Sequence, residues 1–248
     1  MHYLIAWERL GTMTRGKLPT KSSKGEVQEF LRKVAATPVR RPATGQRGRL
    51  IFAMDATASR EHAWDRACQL QGEMFQETVA LGGLEIQLAY YRGFGEFKAS
   101  GWMSDANGLL KQMSSVFCLA GETQIGKLLR HAVAETRKKP INALVFIGDA
   151  VEEDVDALGA TAGELGILGV PAFVFHEGHD RIAEMAFQQI ARLTHGAYCR
   201  FDASSAQTLR ELLRAVAVYA AGGRPALENF AESEGGAVRQ IAHQLSRR

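Results

Sequence analysis

Leu50 to Met54 is an unbroken apolar run that ends on a carboxylate, Asp55, and a second such run, Ala143 to Ile147, ends on Gly148-Asp149. A strand covered on one face alternates apolar and polar residues; a strand covered on both faces does not. Both runs therefore predict central strands of a parallel sheet with helices on either side. Parallel strands present the same ends to the same rim, so Asp55 and Asp149 are expected on one edge of the sheet.

The rest of the chain alternates in the manner this requires. Arg60 to Leu81 reads as an amphipathic helix, LEIQLAYYRGF from residue 84 as a strand, and EFKASGWM as its hairpin partner. SSVFCLA is a poor strand, and a helix follows Thr123 through LLRHAVAETRKK. Beyond Asp149 the pattern predicts a helix over Glu152 to Leu168, a strand at VPAFVFH, a helix over Arg181 to Leu193, an edge strand at AYCRF and a last helix over Ser205 to Ala221. The expected fold is a doubly wound α/β sheet, mainly parallel, with one antiparallel edge hairpin. No fixed-period repeat is present.

Asp55, Thr57 and Ser59 place a carboxylate and two hydroxyls at alternate positions where the first strand becomes a loop, so an extended backbone turns all three the same way. Thr123 lies in the glycine-flanked loop Gly121 to Gly126, and Asp149 supplies the second carboxylate. Five hard oxygen donors from three loops suit Mg²⁺ or Mn²⁺. Taken singly, each segment is also ordinary helix-capping chemistry.

The ordered pattern of D-x-T-x-S, a glycine-flanked threonine and a strand ending in G-D resembles the metal-ion-dependent adhesion site (MIDAS) of von Willebrand factor type A (VWA) domains, bacterial cytoplasmic type. By element order the resemblance covers roughly residues 48 to 221. Thr57 stands where serine is commoner, and Ala150 follows Asp149 where glycine is frequent. The resemblance implies that Thr57, Ser59 and Thr123 bind a divalent ion directly or through water, and that Asp55 and Asp149 often act through waters. It further implies that an open coordination position takes an Asp or Glu carboxylate from a partner protein, which is binding rather than turnover.

A competing reading sits in the second loop. Gly121 to Lys127 fits G-x-x-x-x-G-K, the loop whose amides cradle phosphates, and would make the chain a nucleotide-binding or phosphoester-directed enzyme. Leu128 follows, where that motif requires a metal-binding Ser or Thr. No G-x-S-x-G nucleophile elbow occurs, and Thr57 stands where a phosphatase-like site needs a second carboxylate. His176, Glu177, His179 and Asp180 cluster after a strand and are candidates for contact at the same rim. Glu152, Glu153, Asp154 and Asp156 follow Asp149, where acids favour a helix N-terminus.

Charge divides the chain. Residues 1 to 50 carry 11 Lys/Arg against 3 acids, a balance of +8, which leaves −5 for residues 51 to 248. The expected organisation is a basic arm over 1–48, made of a short amphipathic helix and a Pro/Gly/Arg linker, a domain over 49–221, and a tail over 222–248 with a short helix. The arm's charge also permits nucleic-acid binding, a third functional class. Trp7, Glu8 and Arg9 interrupt the short apolar start, so secretion is not expected, and no apolar run approaches the length of a membrane span. Cys68, Cys118 and Cys199 have neither metal-ligand nor redox spacing. A cytoplasmic location, without membrane insertion, is the expectation.

Overall fold

A computed structural model describes residues 47–61, 83–201 and 206–233, together with Glu29, Arg32, Lys33, Trp64, Asp65, Ala67 and Cys68. Six strands form one sheet: β1 (Gly48–Asp55), β2 (Leu84–Arg92), β3 (Glu96–Met103), β4 (Ala143–Gly148), β5 (Ala172–Glu177) and β6 (Ala197–Phe201). Their order is β3-β2-β1-β4-β5-β6, and only the β2–β3 hairpin is antiparallel. The chain leaves β1 for β2 on one side and later returns to β4 on the other. Two parallel connections that diverge in this way open a crevice beyond the strands' C-terminal ends. Met54 pairs with Ile147, so Asp55 and Asp149 follow neighbouring strands into that crevice.

Strand alternation divides β1 between two cores. Leu50, Phe52 and Met54 join Ile86, Val145, Ile147, Phe173 and Phe175 on one face, beneath Leu212, Leu213 and Val216. Ile51 and Ala53 join Leu144, Phe146 and Val174 on the opposite face. That face is covered by α2 (Ile125–Lys138), α3 (Val155–Ile167) and α4 (Arg181–Leu193), while α5 (Ala206–Ser233) covers the first.

Three elements differ from the sequence expectation. A helix, α1 (Ala106–Ser114), stands where the pattern predicts none; only Leu109 and Met113 are buried along it, too few apolar positions to reveal a helical period. Its start is fixed by Asp105, whose Oδ1 accepts the Gly108 N–H at 2.8 Å. Helix α3 begins at Val155 rather than Glu152, with Asp154 accepting the Ala157 N–H at 2.8 Å as its cap. Glu152 and Glu153 are drawn instead into contacts with the loop before α2. Helix α5 runs past Ala221, breaks at Gly223, where φ is 70°, and resumes to Ser233. Leu227 in the resumed part is buried in the same core as Leu50 and Phe52. Most of the expected helix over Arg60 to Leu81 and of the N-terminal arm lies outside the described residues.

Candidate metal site

The loop after β1 keeps the sheet's direction for one more residue because the Ala56 N–H donates to Tyr91 O at 2.9 Å. Asp55 is fully buried, and its two oxygens are separately engaged. Oδ1 accepts the Thr57 N–H at 2.7 Å, and Oδ2 accepts the Tyr91 hydroxyl at 3.1 Å. Burial, and then the Asp55 carboxylate beside it, hold the Tyr91 phenol well above its ordinary pKa. It therefore remains a donor, and its hydrogen bond orients the Asp55 carboxyl group.

Thr57 Oγ1 and Ser59 Oγ lie 3.3 Å apart, and the Ser59 hydroxyl donates to Asp149 Oδ2 at 2.8 Å across the gap between the β1 and β4 loops. The third loop is anchored by backbone contact. The Leu119 N–H donates to Ala56 O at 3.0 Å, and Gly121 packs so tightly on Gly93 that a Cβ there would lie 2.1 Å from Gly93 O. No side chain fits at that position. Thr123 is then clasped by Glu152 in both directions: Thr123 N–H donates to Glu152 Oε2 at 2.9 Å, and Glu152 N–H donates to Thr123 Oγ1 at 3.0 Å. Thr123 Oγ1 retains a second lone pair.

All five predicted residues, Asp55, Thr57, Ser59, Thr123 and Asp149, line one open cleft of about 230 Å³, together with Ala58, Ala120, Gly121, Ala150 and Glu152. The donors are two carboxylates and three hydroxyls. Among the described residues no group of three or more His, Cys, Asp or Glu is placed to hold a metal, so any ion at this cleft depends on the hydroxyls. Hard oxygens with room for several waters match the requirements of Mg²⁺ and Mn²⁺.

Glu152 and Tyr91 are the residues that sequence reasoning misses. The sequence marks Glu152 only as an acid near a helix start, and Tyr91 only as a strand residue. The parallel register that sets Asp55 opposite Tyr91 is the signal that could have found the latter. The histidine cluster, by contrast, does not line the cleft, although the His176 ring meets the backbone of Asp149 from behind it. His176 is buried, with Nδ1 2.9 Å from the Tyr198 hydroxyl. Asp180 caps α4 through the Ala183 N–H at 2.7 Å, and His179 Nδ1 lies 3.4 Å from an Arg200 nitrogen.

The glycine-rich loop is filled from within. Its Thr123 amide donates to Glu152, and the Ile125 and Gly126 amides both donate to the Glu153 carboxylate. Lys127 Nζ donates to Gly95 O at 2.7 Å and to Gln124 Oε1 at 2.9 Å. The amides a phosphate would need already hold carboxylates, which repel one.

No protein-family model and no curated protein matches the sequence. Solved structures do match in fold. The VWA domain of SpRpn10 superposes with a TM-score of 0.54 at 14% identity, over 68% of this chain and 94% of that one. The chain has a VWA-like fold. Proximal thread matrix protein 1 from the mussel byssus, solved with a zinc-occupied MIDAS motif, is similar with a TM-score of 0.52 at 15% identity, over 69% of this chain and 46% of that one. An aerotolerance-related membrane protein from Bacteroides fragilis gives 0.52 at 17% identity, over 67% and 98%. In the present VWA-like chain, no helix among the described residues is long and apolar enough to cross a membrane.

Proposed function

We propose that the cleft is a MIDAS-type site that holds Mg²⁺ or Mn²⁺ on Asp55, Thr57, Ser59, Thr123 and Asp149, and that the ion's open position takes an Asp or Glu carboxylate of a partner protein. The observation that carries this reading is the convergence of two carboxylates and three hydroxyls from three loops on one cleft at the sheet's switch point. The zinc-occupied MIDAS motif of the mussel byssus protein lends support, since it places a divalent ion in a domain of the same fold. The ion would supply an electrophilic anchor for an anionic side chain; the protein's own residues hold its ligands apart and oriented. On this reading the chain is a metal-dependent interaction module, an adaptor in a larger assembly rather than an enzyme. A cytoplasmic location is part of the same proposal.

Calorimetric titration of the full chain with Mg²⁺ and with Mn²⁺ tests it. One site per chain, lost in Asp149→Ala, is expected; heats that are unchanged by that substitution would refute the assignment. The nucleotide-directed alternative is opposed by the carboxylates that occupy the amides of the Gly121 to Lys127 loop. The nucleic-acid alternative depends on an arm that lies largely outside the described residues.

A further inference from the structure

Phe94, Phe117 and Leu119 are large apolar side chains that are 82%, 63% and 44% exposed. They stand on two segments that meet beside the cleft. Gly93 N–H donates to Leu119 O at 3.3 Å, and Gly121, which lines the cleft, rests on Gly93. Exposed apolar side chains are ordinary when scattered singly, but a group of them beside a polar cleft marks an interaction surface.

This group is held in place. The Arg92 guanidinium stacks 4.1 Å from the Phe117 ring, donates to Phe117 O at 2.8 Å, and is itself fixed by two 3.0 Å bonds to the Glu96 carboxylate. Lys127 ties the turn at Gly95 O. Aromatic side chains presented on such a braced backbone lose little further freedom when covered, which favours their use in binding.

The cleft's two sides are chemically opposite. On the β2 side stand Phe94, Phe117 and Leu119; on the β4 side the exposed acid Glu152 lines the cleft, with Asp154 and Asp156 exposed after it in the sequence. A segment that brings a carboxylate to the cleft meets like charge on the second side and apolar surface on the first. Resting on the metal-site reading above, we propose that the partner is a protein segment whose Asp or Glu is flanked by large apolar side chains, and that these flanks lie over Phe94, Phe117 and Leu119.

The test uses arrayed pentapeptides with a fixed central Asp and varied flanks, probed with the full chain in Mn²⁺ and in chelator. Peptides flanked by Phe or Leu should bind about tenfold more tightly in Mn²⁺ than those flanked by Gly, the effect of partly burying one large side chain. The double variant F94S/F117S should lose that preference while its Mn²⁺ affinity stays unchanged. Both substitutions are at exposed side chains, and Phe117→Ser keeps the backbone carbonyl that Arg92 uses. Mn²⁺-dependent binding without preference for apolar flanks, a preference that survives in the double variant, or no peptide binding at all would overturn the proposal. Apolar preference that persists in chelator and in Asp149→Ala would instead overturn the metal-site reading and leave the apolar surface standing.

Discussion

Asp55 and Asp149 occupy equivalent places in the sequence pattern but very different places in the structure, and alanine at each should separate metal binding from stability. From the sequence, either loss is expected to relieve repulsion in an acidic site. The structure changes that expectation for Asp55, which is fully buried and accepts bonds from the Thr57 amide and the Tyr91 hydroxyl. Asp55→Ala strands two buried donors. Hydrogen bonds to charged groups contribute about 1.5–3 kcal/mol each, partly offset here by the carboxylate's own desolvation, so a net loss of about 2–4 kcal/mol follows. With a urea dependence of about 2 kcal/mol per molar, the unfolding midpoint should fall by about 1–2 M. Asp149 is half-buried and accepts the Ser59 hydroxyl, so Asp149→Ala should lower stability by less than about 1 kcal/mol. Urea unfolding in chelator, followed by intrinsic fluorescence, reads both. Equal midpoints for the two variants, or an Asp55→Ala protein as stable as the parent, would refute the claim that Asp55 supports the fold as well as the ion.

Three further outcomes follow from the same contacts. Glu152→Ala should weaken Mn²⁺ binding about tenfold by freeing Thr123, while Glu152→Gln, which keeps an acceptor for the Thr123 amide, should weaken it less; calorimetry distinguishes them. Lys127→Ala should leave Mn²⁺ affinity unchanged, and the parent chain should show no ATP turnover in a phosphate-release assay, because the loop's amides already bind Glu152 and Glu153. Burial, ahead of the opposing pull of Glu135, holds the His131 imidazole below its ordinary pKa. The unfolded chain thus takes up that proton first, and stability should fall as pH drops below about 6.5, with a shallower acid slope in His131→Gln by urea unfolding between about pH 8 and 5.

The parts of this fold that are legible in the sequence are those that repeat locally. Leu50 to Met54 and Ala143 to Ile147 lack alternation because helices cover both faces, and Arg181 to Leu193 shows its helical period directly. The five oxygen donors are legible because loops at parallel strand ends must share a rim. Tyr91 and Glu152 are not, since their partners lie 36 and 29 residues away and only strand order brings them together. Helix α1 escapes notice because two buried side chains give no period. The start of α3 is displaced from its expected place because Glu152 and Glu153, good first-turn residues, are held by amides at the start of another helix and the loop before it.

The central claim is where a divalent ion sits, and anomalous diffraction from crystals of the full chain grown or soaked with Mn²⁺ locates it. The account predicts one peak per chain in the cleft bounded by Asp55, Thr57, Ser59, Thr123 and Asp149. An empty cleft at saturating Mn²⁺, or an ion held by Glu152 and Glu153 away from those five, would contradict it.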